Sequence, residues 1–421
     1  MYVIDLFGLN AQEVRERFPA VYQHVLERVK PDRDAKRHTK DGAGYARYWW
    51  LHGKPRQELR KSLGGLERYI ATVETSKHRT FLFLDKSIAP DNMLIVVAMD
   101  DAIALGVLGS IVHVTWALAT GGRLGVGNDP RYNKSRCFET FPFPSIHAAD
   151  KFGGPIGAAL VDTDGNTGTT ETYGEYPSDR IRNFAEQLDA HRKRQQAAHP
   201  CLTLTGMYNV LEKLRSGEPL TAKERTVHEQ GLVSVLRQLH DELDEAVLHA
   251  YGWGDLLPLL RIAHGNDAPP EGQSRDDARR AFDEAILERL VALNAERAAE
   301  EARGEIRWLR PEFQNPDAAG DGAPEQTRLA TDTAGDDQPN RDATPAPLPP
   351  NTKPQPWPKD TVDQVRAVAD LLAASPVPLS IDEIGARFTA RGPWKKRLPK
   401  LVEMLVALGR AQEQDGKIGS A

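Results

Sequence analysis

Residues 121–144, GGRLGVGNDPRYNKSRCFETFPFP, concentrate the side chains best suited to hold a ligand. They include four cations (Arg123, Arg131, Lys134, Arg136), two acids (Asp129, Glu139) and two amides (Asn128, Asn133). Glycine lets backbone come close to a ligand. Arg, Lys and Asn at a loop tip are the side chains that read base edges and hold phosphates. On this pattern Arg123, Arg131, Lys134 and Arg136 would meet phosphate or guanine edges, and Asn128 and Asn133 would meet adenine. Lys77 and Arg79, on a turn between two predicted strands, would hold nucleic-acid backbone. The competing reading is a solvated loop without a ligand, which composition alone favours.

Several elements must position this loop. An apolar run over residues 100–119 predicts a helix leading into it, with Asp100 and Asp101 suited to the first turn. His113 lies in that run and reads as a core histidine, since no cysteine, serine or acid is placed beside it by motif. Three β-rich runs precede the helix, over residues 66–75, 79–84 and 93–99. Residues 2–9 read as a short apolar strand that looks like the edge of something before it. Residues 11–29 read as a helix interrupted at Pro19, with Val14, Phe18, Val21, Val25 and Val29 at helical spacing. Residues 31–44 are a charged turn region. Pro55 suits the start of a short basic helix over 56–63, ended by Gly64-Gly65. Trp49 and Trp50 favour core packing over base stacking.

After the loop, residues 145–177 read as a surface insert rich in Gly, Thr and Asp. VDTDGNTGT within it lacks the spacing and closing glutamate of a calcium loop, so no metal is expected. Four helices follow, over 178–196, 205–214, 221–249 and 276–303; Thr221 and Glu224 form a capping-box signature. They predict an all-α bundle over 178–315, closed by Trp308, Leu309, Pro311 and Phe313. Residues 316–358 are proline-rich and read as an extended, disordered linker. Residues 359–421 show helix, short helix, long helix and strand pair, a winged-helix-like pattern. Arg391, Lys395, Lys396, Arg397 and Lys400 cluster near its third helix, where they could enter a groove; a protein-docking module is equally open.

A length of 421 residues suggests two to four domains. No apolar run is long enough to span a bilayer, so no membrane partner is expected, and residues 1–18 show no signal peptide. Two cysteines, Cys137 and Cys201, fit reduced thiols in a cytoplasmic protein and cannot alone ligate a structural zinc. Net charge is −6, yet residues 31–86 hold 13 lysines and arginines against 7 acids. Charge distribution weighs more than the sum for nucleic-acid binding.

The segments VIDLFGL, RYWWLHGKPR, GLERYIATVETSKHRTFLFL, NMLIVVAMDDAIALGVLGSIVHVTWALATGGRLGVGNDPRYNKSRCFETFPFP, LTGMYNVLEKLRSG and ERLVALNAERAAEEARGEIRWLRPEFQNP resemble the C-terminal half of MmeI-like enzymes. These are single-chain, adenine-specific DNA methyltransferases of restriction–modification and phage-defence systems. The resemblance covers residues 2–316 apart from the insert. It implies an α+β target-recognition domain over 45–144, preceded over 1–44 by the tail of a methyltransferase domain or a connector, and double-stranded DNA as partner. In the intact family enzyme a preceding domain carries an S-adenosylmethionine-binding glycine motif and an Asn/Asp-Pro-Pro-aromatic motif that grips the flipped adenine.

This sequence departs from that pattern. It has no Asn-Pro-Pro-aromatic, no Phe-x-Gly-x-Gly and no Glu-x-Lys triplet. Asn128-Asp129-Pro130-Arg131 has one proline and no aromatic. No catalytic residue, cofactor-binding residue or metal ligand is therefore assigned, and no cofactor is expected on this chain. The expectation is a recognition-and-helical half, working with a separate catalytic subunit or left by a disrupted gene. The alternatives are a methyltransferase in its own right and a non-enzymatic winged-helix DNA-binding or partner-docking regulator.

Overall fold

The computed structural model describes residues 2–124, 129–145, 176–315, 355–358, 361–375, 377–390, 394–407, 410–414 and 416–420. The chain divides into two compact units, Met1–Tyr69 with Asp85–Asp91, and Ile70–Leu84 with Asn92–Ala421.

The first unit is built from short helices: α1 (Ala11–Arg17), α2 (Pro19–Arg28), α3 (Lys30–Ala35), α4 (Gly42–Arg47) and α5 (Gln57–Leu63). Asn10 and Glu13 close a reciprocal capping box on α1. The helix expected over 11–29 is interrupted at Pro19 as the sequence suggests, because the residue before proline is kept out of the α region; Phe18 sits at φ −136°. Leu6, Val14, Val25 and Trp49 form the core. Trp49 meets the edge of Tyr22, and the Trp50 indole donates to the Leu9 carbonyl at 2.8 Å. Both tryptophans thus pack, as expected of large aromatics. The strand expected over residues 2–9 is absent. Among the described residues no strand pairs with it, and the segment is held instead by buried Leu6 and by the Asp5–Arg60 ion pair at 2.7 Å. The region expected as charged turns forms α3 and α4.

A three-stranded sheet follows, β1 (Arg68–Val73), β2 (Leu82–Asp85) and β3 (Leu94–Val97), in the order β2-β1-β3. β1 and β3 run antiparallel, with Ile70 opposite Val97. The helix expected over 100–119 is two helices, α6 (Ala102–Gly109) and α7 (Ile111–Thr120), broken at extended Ser110 (ψ 160°). Ser110 Oγ donates to the Val107 carbonyl, and the Ile111 N–H donates to the Asp244 carboxylate, so distant side chains satisfy the break. Then come β4 (Gly122–Leu124), β5 (Asp129–Arg131) and a π-helical turn, Lys134–Phe138.

The helical region holds α8 (Pro177–Ala198), α9 (Leu204–Ser216), α10 (Ala222–Gly231), α11 (Val233–Ala250), α12 (Leu257–Ala263), α13 (Arg275–Ala302) and α14 (Pro311–Gln314). Two differences from expectation stand out. The helix predicted over 221–249 is interrupted at Leu232, whose φ of 42° places it in the left-handed region. Trp308, Leu309 and Phe313 do not close the bundle: Trp308 is 38% exposed. That segment is tied down by Arg310, which stacks on Phe313 and donates to the Ala98 carbonyl at 3.2 Å.

One core joins Val112 and Trp116 of α7 to Ile181, Met207, Leu236, Leu243, Phe282 and Ile286. The boundary expected after residue 144 therefore runs through a shared interior. Gly106 shows how tightly it is packed: a Cβ there would lie 2.6 Å from Ile181 Cγ2.

The C-terminal module contains β6 (Gln355–Pro356), α15 (Thr361–Ala374), α16 (Ile381–Ala386), β7 (Phe388–Thr389), α17 (Leu398–Ala407), β8 (Ala411–Gln414) and β9 (Lys417–Ser420). β6 and β7 pair in parallel; β8 and β9 form an antiparallel hairpin. Three helices and a strand pair are present in the predicted order. Residues 355–358, expected in the linker, belong to this module instead: Trp357 is buried and stacks on Trp394 at 4.5 Å between ring centres. Residues 146–175 of the insert expected over 145–177 and residues 316–354 of the linker expected over 316–358 lie outside the described residues, as does Asn128. No single helix among the described residues is long and apolar enough to cross a membrane.

Candidate nucleic-acid interface

The basic loop is a hairpin pinned at its base. β4 pairs with β5, Gly122 opposite Arg131 and Leu124 opposite Asp129. β5 then runs on beside the end of β1: Tyr132 N–H donates to the Glu74 carbonyl at 2.7 Å and Ser76 N–H to the Pro130 carbonyl at 3.2 Å. Gly121 is needed at the pivot. A Cβ there would fall 2.5 Å from the Arg131 carbonyl oxygen and 2.6 Å from that of Ala117, distances no side chain tolerates.

Arg79 occupies the middle of this junction. It is buried, and it donates to Thr72 Oγ1 at 3.0 Å, to the Val73 carbonyl, and to the carbonyls of Glu74 (3.3 Å) and Pro130 (3.1 Å). Its guanidinium also lies over the Tyr132 ring. Burial lowers its pKa, with Cys137 and Tyr132 opposing. Arg79 thus clips the sheet edge to the hairpin, and both its terminal nitrogens are bonded inside the protein. His113 is buried beside it, its Nε2 2.9 Å from the Tyr132 hydroxyl. Desolvation, helped by Arg79, pulls its pKa to about 3, so it stays neutral. This is the core histidine the sequence predicts.

Three other candidates carry ionic or amide partners. Arg131 Nε meets Glu74 Oε1 at 2.7 Å. Arg123 Nη2 meets Asp363 Oδ1 at 2.8 Å. Lys77 Nζ donates to Asn209 Oδ1 at 2.6 Å and to Glu212 at 3.2 Å, docking its turn on α9. Asn133 Oδ1 accepts the Gly122 N–H at 3.2 Å and so braces the hairpin. Lys134 and Arg136 are exposed on the π-helical turn.

Lys77, Arg79 and Arg123 line one cleft of about 930 Å³. Its lining also includes residues that sequence reasoning did not single out: Arg215 on α9, Arg275 and Arg279 on α13, and Asp363 and Arg366 on α15. Arg275 and Arg279 share a helix face four residues apart, the one local signal that could have marked them. Buried Asp244 also lines the cleft; desolvation raises its pKa to about 7.

The secondary basic cluster is partly engaged. Arg397 binds Glu284, and Lys400 Nζ meets Glu288 at 2.8 Å, both acids on α13. Lys395 lies over the Trp394 ring, and Lys396 is exposed. Arg391 lies outside the described residues. Among the described residues no group of His, Cys, Asp and Glu could hold a metal ion.

Residues 9–145 match the family model described as MmeI, target recognition domain. A solved structure titled "Structure of Type IIL restriction-modification enzyme MmeI in complex with DNA has implications for engineering of new specificities" is similar at 18% identity, with a TM-score of 0.41. The similarity covers 69% of this chain and 28% of that one, so this chain spans under a third of the length of the enzyme it matches. Comparison with curated proteins gives no match. The matched residues 9–145 carry the sheet, the two-helix run and the basic hairpin, so this part of the chain is similar to the target recognition domain of MmeI.

Proposed function

We propose that this chain binds duplex DNA and supplies sequence recognition to a site-specific adenine-N6 methyltransferase of a restriction–modification system. The observation that carries this is the match of residues 9–145, which include the whole basic hairpin, to the target recognition domain family. The chemistry agrees. Lys134 and Arg136 are exposed where phosphates could reach them, and Arg123 and Arg131, each bonded to a carboxylate, bring guanidinium groups to the same hairpin. Exposed cations at Lys36, Arg37, Lys40, Lys54 and Lys61 extend the basic surface of the first unit.

Methyl transfer itself needs S-adenosylmethionine and a pocket for the flipped base. The motifs for both are absent from residues 1–421. This reading therefore assigns them to a catalytic domain beyond these residues, a separate subunit being one source.

Selection from a randomised duplex pool, followed by sequencing of what the full chain retains, tests the reading. An enriched word supports it; equal retention of all sequences, with binding lost on adding salt, would reduce it to non-specific charge. The regulator reading predicts that Lys395→Ala with Lys396→Ala erases the word, and the recognition-domain reading predicts that the word survives. A clear calorimetric signal for S-adenosylmethionine would overturn the assignment of the cofactor elsewhere.

A further inference from the structure

Asp363, in the first turn of α15, joins the C-terminal module to the recognition hairpin. Its Oδ1 accepts from Arg123 Nη2 at 2.8 Å and from Arg366 Nη1 at 2.6 Å. Arg366 is buried and donates its other terminal nitrogen to the Leu118 carbonyl. Arg410, from the same module, donates to the Ala119 carbonyl at 2.9 Å. These carbonyls belong to the last turn of α7, where helix carbonyls lack partners along the helix and the dipole favours cations. The module thus finishes the helix from which the hairpin springs. Ala119 is also buried in the module's own core, with Val365, Val368 and Leu405.

Bonded to buried Arg366, the Asp363 carboxylate restrains the guanidinium of Arg123 through the Nη2–Oδ1 bond. The fork of Arg123 is planar, and its value in reading guanine depends on that orientation. We infer that the C-terminal module is a working part of the recognition site, with Asp363 a positioning residue that aims Arg123 at DNA. The inference rests on the DNA-reading function proposed above. It gives the module a role in specificity and not only in affinity.

The test compares the full chain with Asp363→Asn, Arg123→Ala and the double variant in the same randomised-pool selection. Binding to the selected word and to an unrelated duplex is then measured for each. Asp363→Asn is expected to lose enrichment at the same base positions as Arg123→Ala, with discrimination falling tenfold or more. Binding to the unrelated duplex should hold or tighten, because one acid beside phosphate is gone. The double variant should match Arg123→Ala. An unchanged word and unchanged discrimination in Asp363→Asn would overturn the inference. So would uniform tightening with the word intact, which would make Asp363 a simple competitor of phosphate. If Asp363→Asn melts early, Asp363→Ser carries the same test. Absence of any word from the parent chain would sink the DNA-reading function, and the inference with it; a parent word that Asp363→Asn leaves intact sinks the inference alone.

Discussion

The buried carboxylate of Asp244 accepts the backbone N–H of Ile111 at 2.7 Å, across 133 positions of sequence. This bond starts α7, and the Arg366 and Arg410 bonds finish it. The helix that carries the basic hairpin is therefore held at both ends by side chains from other parts of the fold.

Asp244 should make stability depend on pH. Its folded pKa is raised to about 7, mainly by desolvation. A raised carboxyl contributes stability that is complete below its unfolded value and is lost as pH rises through the folded one. Asp244→Asn keeps an acceptor for Ile111 without the charge. It should be more stable than the parent above pH 7, by a few kcal/mol at most, and equal to it below about pH 4. Urea unfolding at both ends of that range checks this; a variant weaker than the parent at high pH would show that the ionised carboxylate is needed.

The buried histidines act in the opposite sense. Desolvation pulls His113 to about 3 and His264 to about 4, and lowers His240 well below its usual range. Depressed imidazoles contribute stability that is present above their unfolded value near 6.5 and is lost as pH falls through the folded ones. Unfolding midpoints should drop below pH 6.5, steepening toward pH 4. His264→Gln should flatten that slope between 6.5 and 4, and an unaltered slope would remove His264 from the account.

Arg79→Ala should unfold the junction and not simply weaken DNA binding. It strands the acceptors at Thr72, Val73, Glu74 and Pro130 without their donor. Each buried group left unpaired costs about 1–3 kcal/mol, so a loss of about 3 kcal/mol or more is expected by denaturant titration. A variant of parental stability with weaker DNA binding would return Arg79 to the backbone-contact role.

Gly121→Ala should be among the more damaging single-methyl additions. The new Cβ would press on two carbonyl oxygens, of Ala117 and Arg131, and neither can move without shifting α7 or β5. Overpacking of this kind costs about 1–3 kcal/mol. Thermal unfolding reads the cost; a neutral result would mean that the hairpin base is free to shift.

Arg131→Ala separates two roles for one side chain. If Arg131 leaves Glu74 to read guanine, discrimination at one base position should fall by about 1–3 kcal/mol. If it holds phosphate, binding should weaken equally for all sequences, and the salt slope should drop by about one. Titrations of matched and mismatched duplexes at two salt concentrations distinguish these.

Local physics made much of the chain legible. Proline split α1 from α2, capping boxes set the starts of α1, α10, α13 and α16, and β-rich runs gave the three strands. Adjacent tryptophans marked core, and the hairpin's composition marked the loop to watch. These signals are readable because their partners lie within a few residues. The breaks at Ser110 and Leu232 were not readable, since tertiary contacts from Asp244 and the packing of α10 on α11 override a continuous helical pattern.

Which cations face outward was decided only by the fold. Sequence treats Arg79, Arg123, Arg131 and Lys134 alike, as basic residues in polar surroundings. The folded chain buries Arg79 among carbonyls, gives Arg131 to Glu74 and leaves Lys134 at the surface. It pairs Arg123 with Asp363, 240 positions away, and nothing local to either residue encodes that meeting. Composition and short-range spacing determined that a basic, glycine-rich hairpin exists, because those are properties of neighbouring residues. What each of its charges is aimed at is set by long-range packing, which brings Glu74 from the end of β1 to Arg131 and Asp363 from α15 to Arg123 and exists only once the chain has closed on itself.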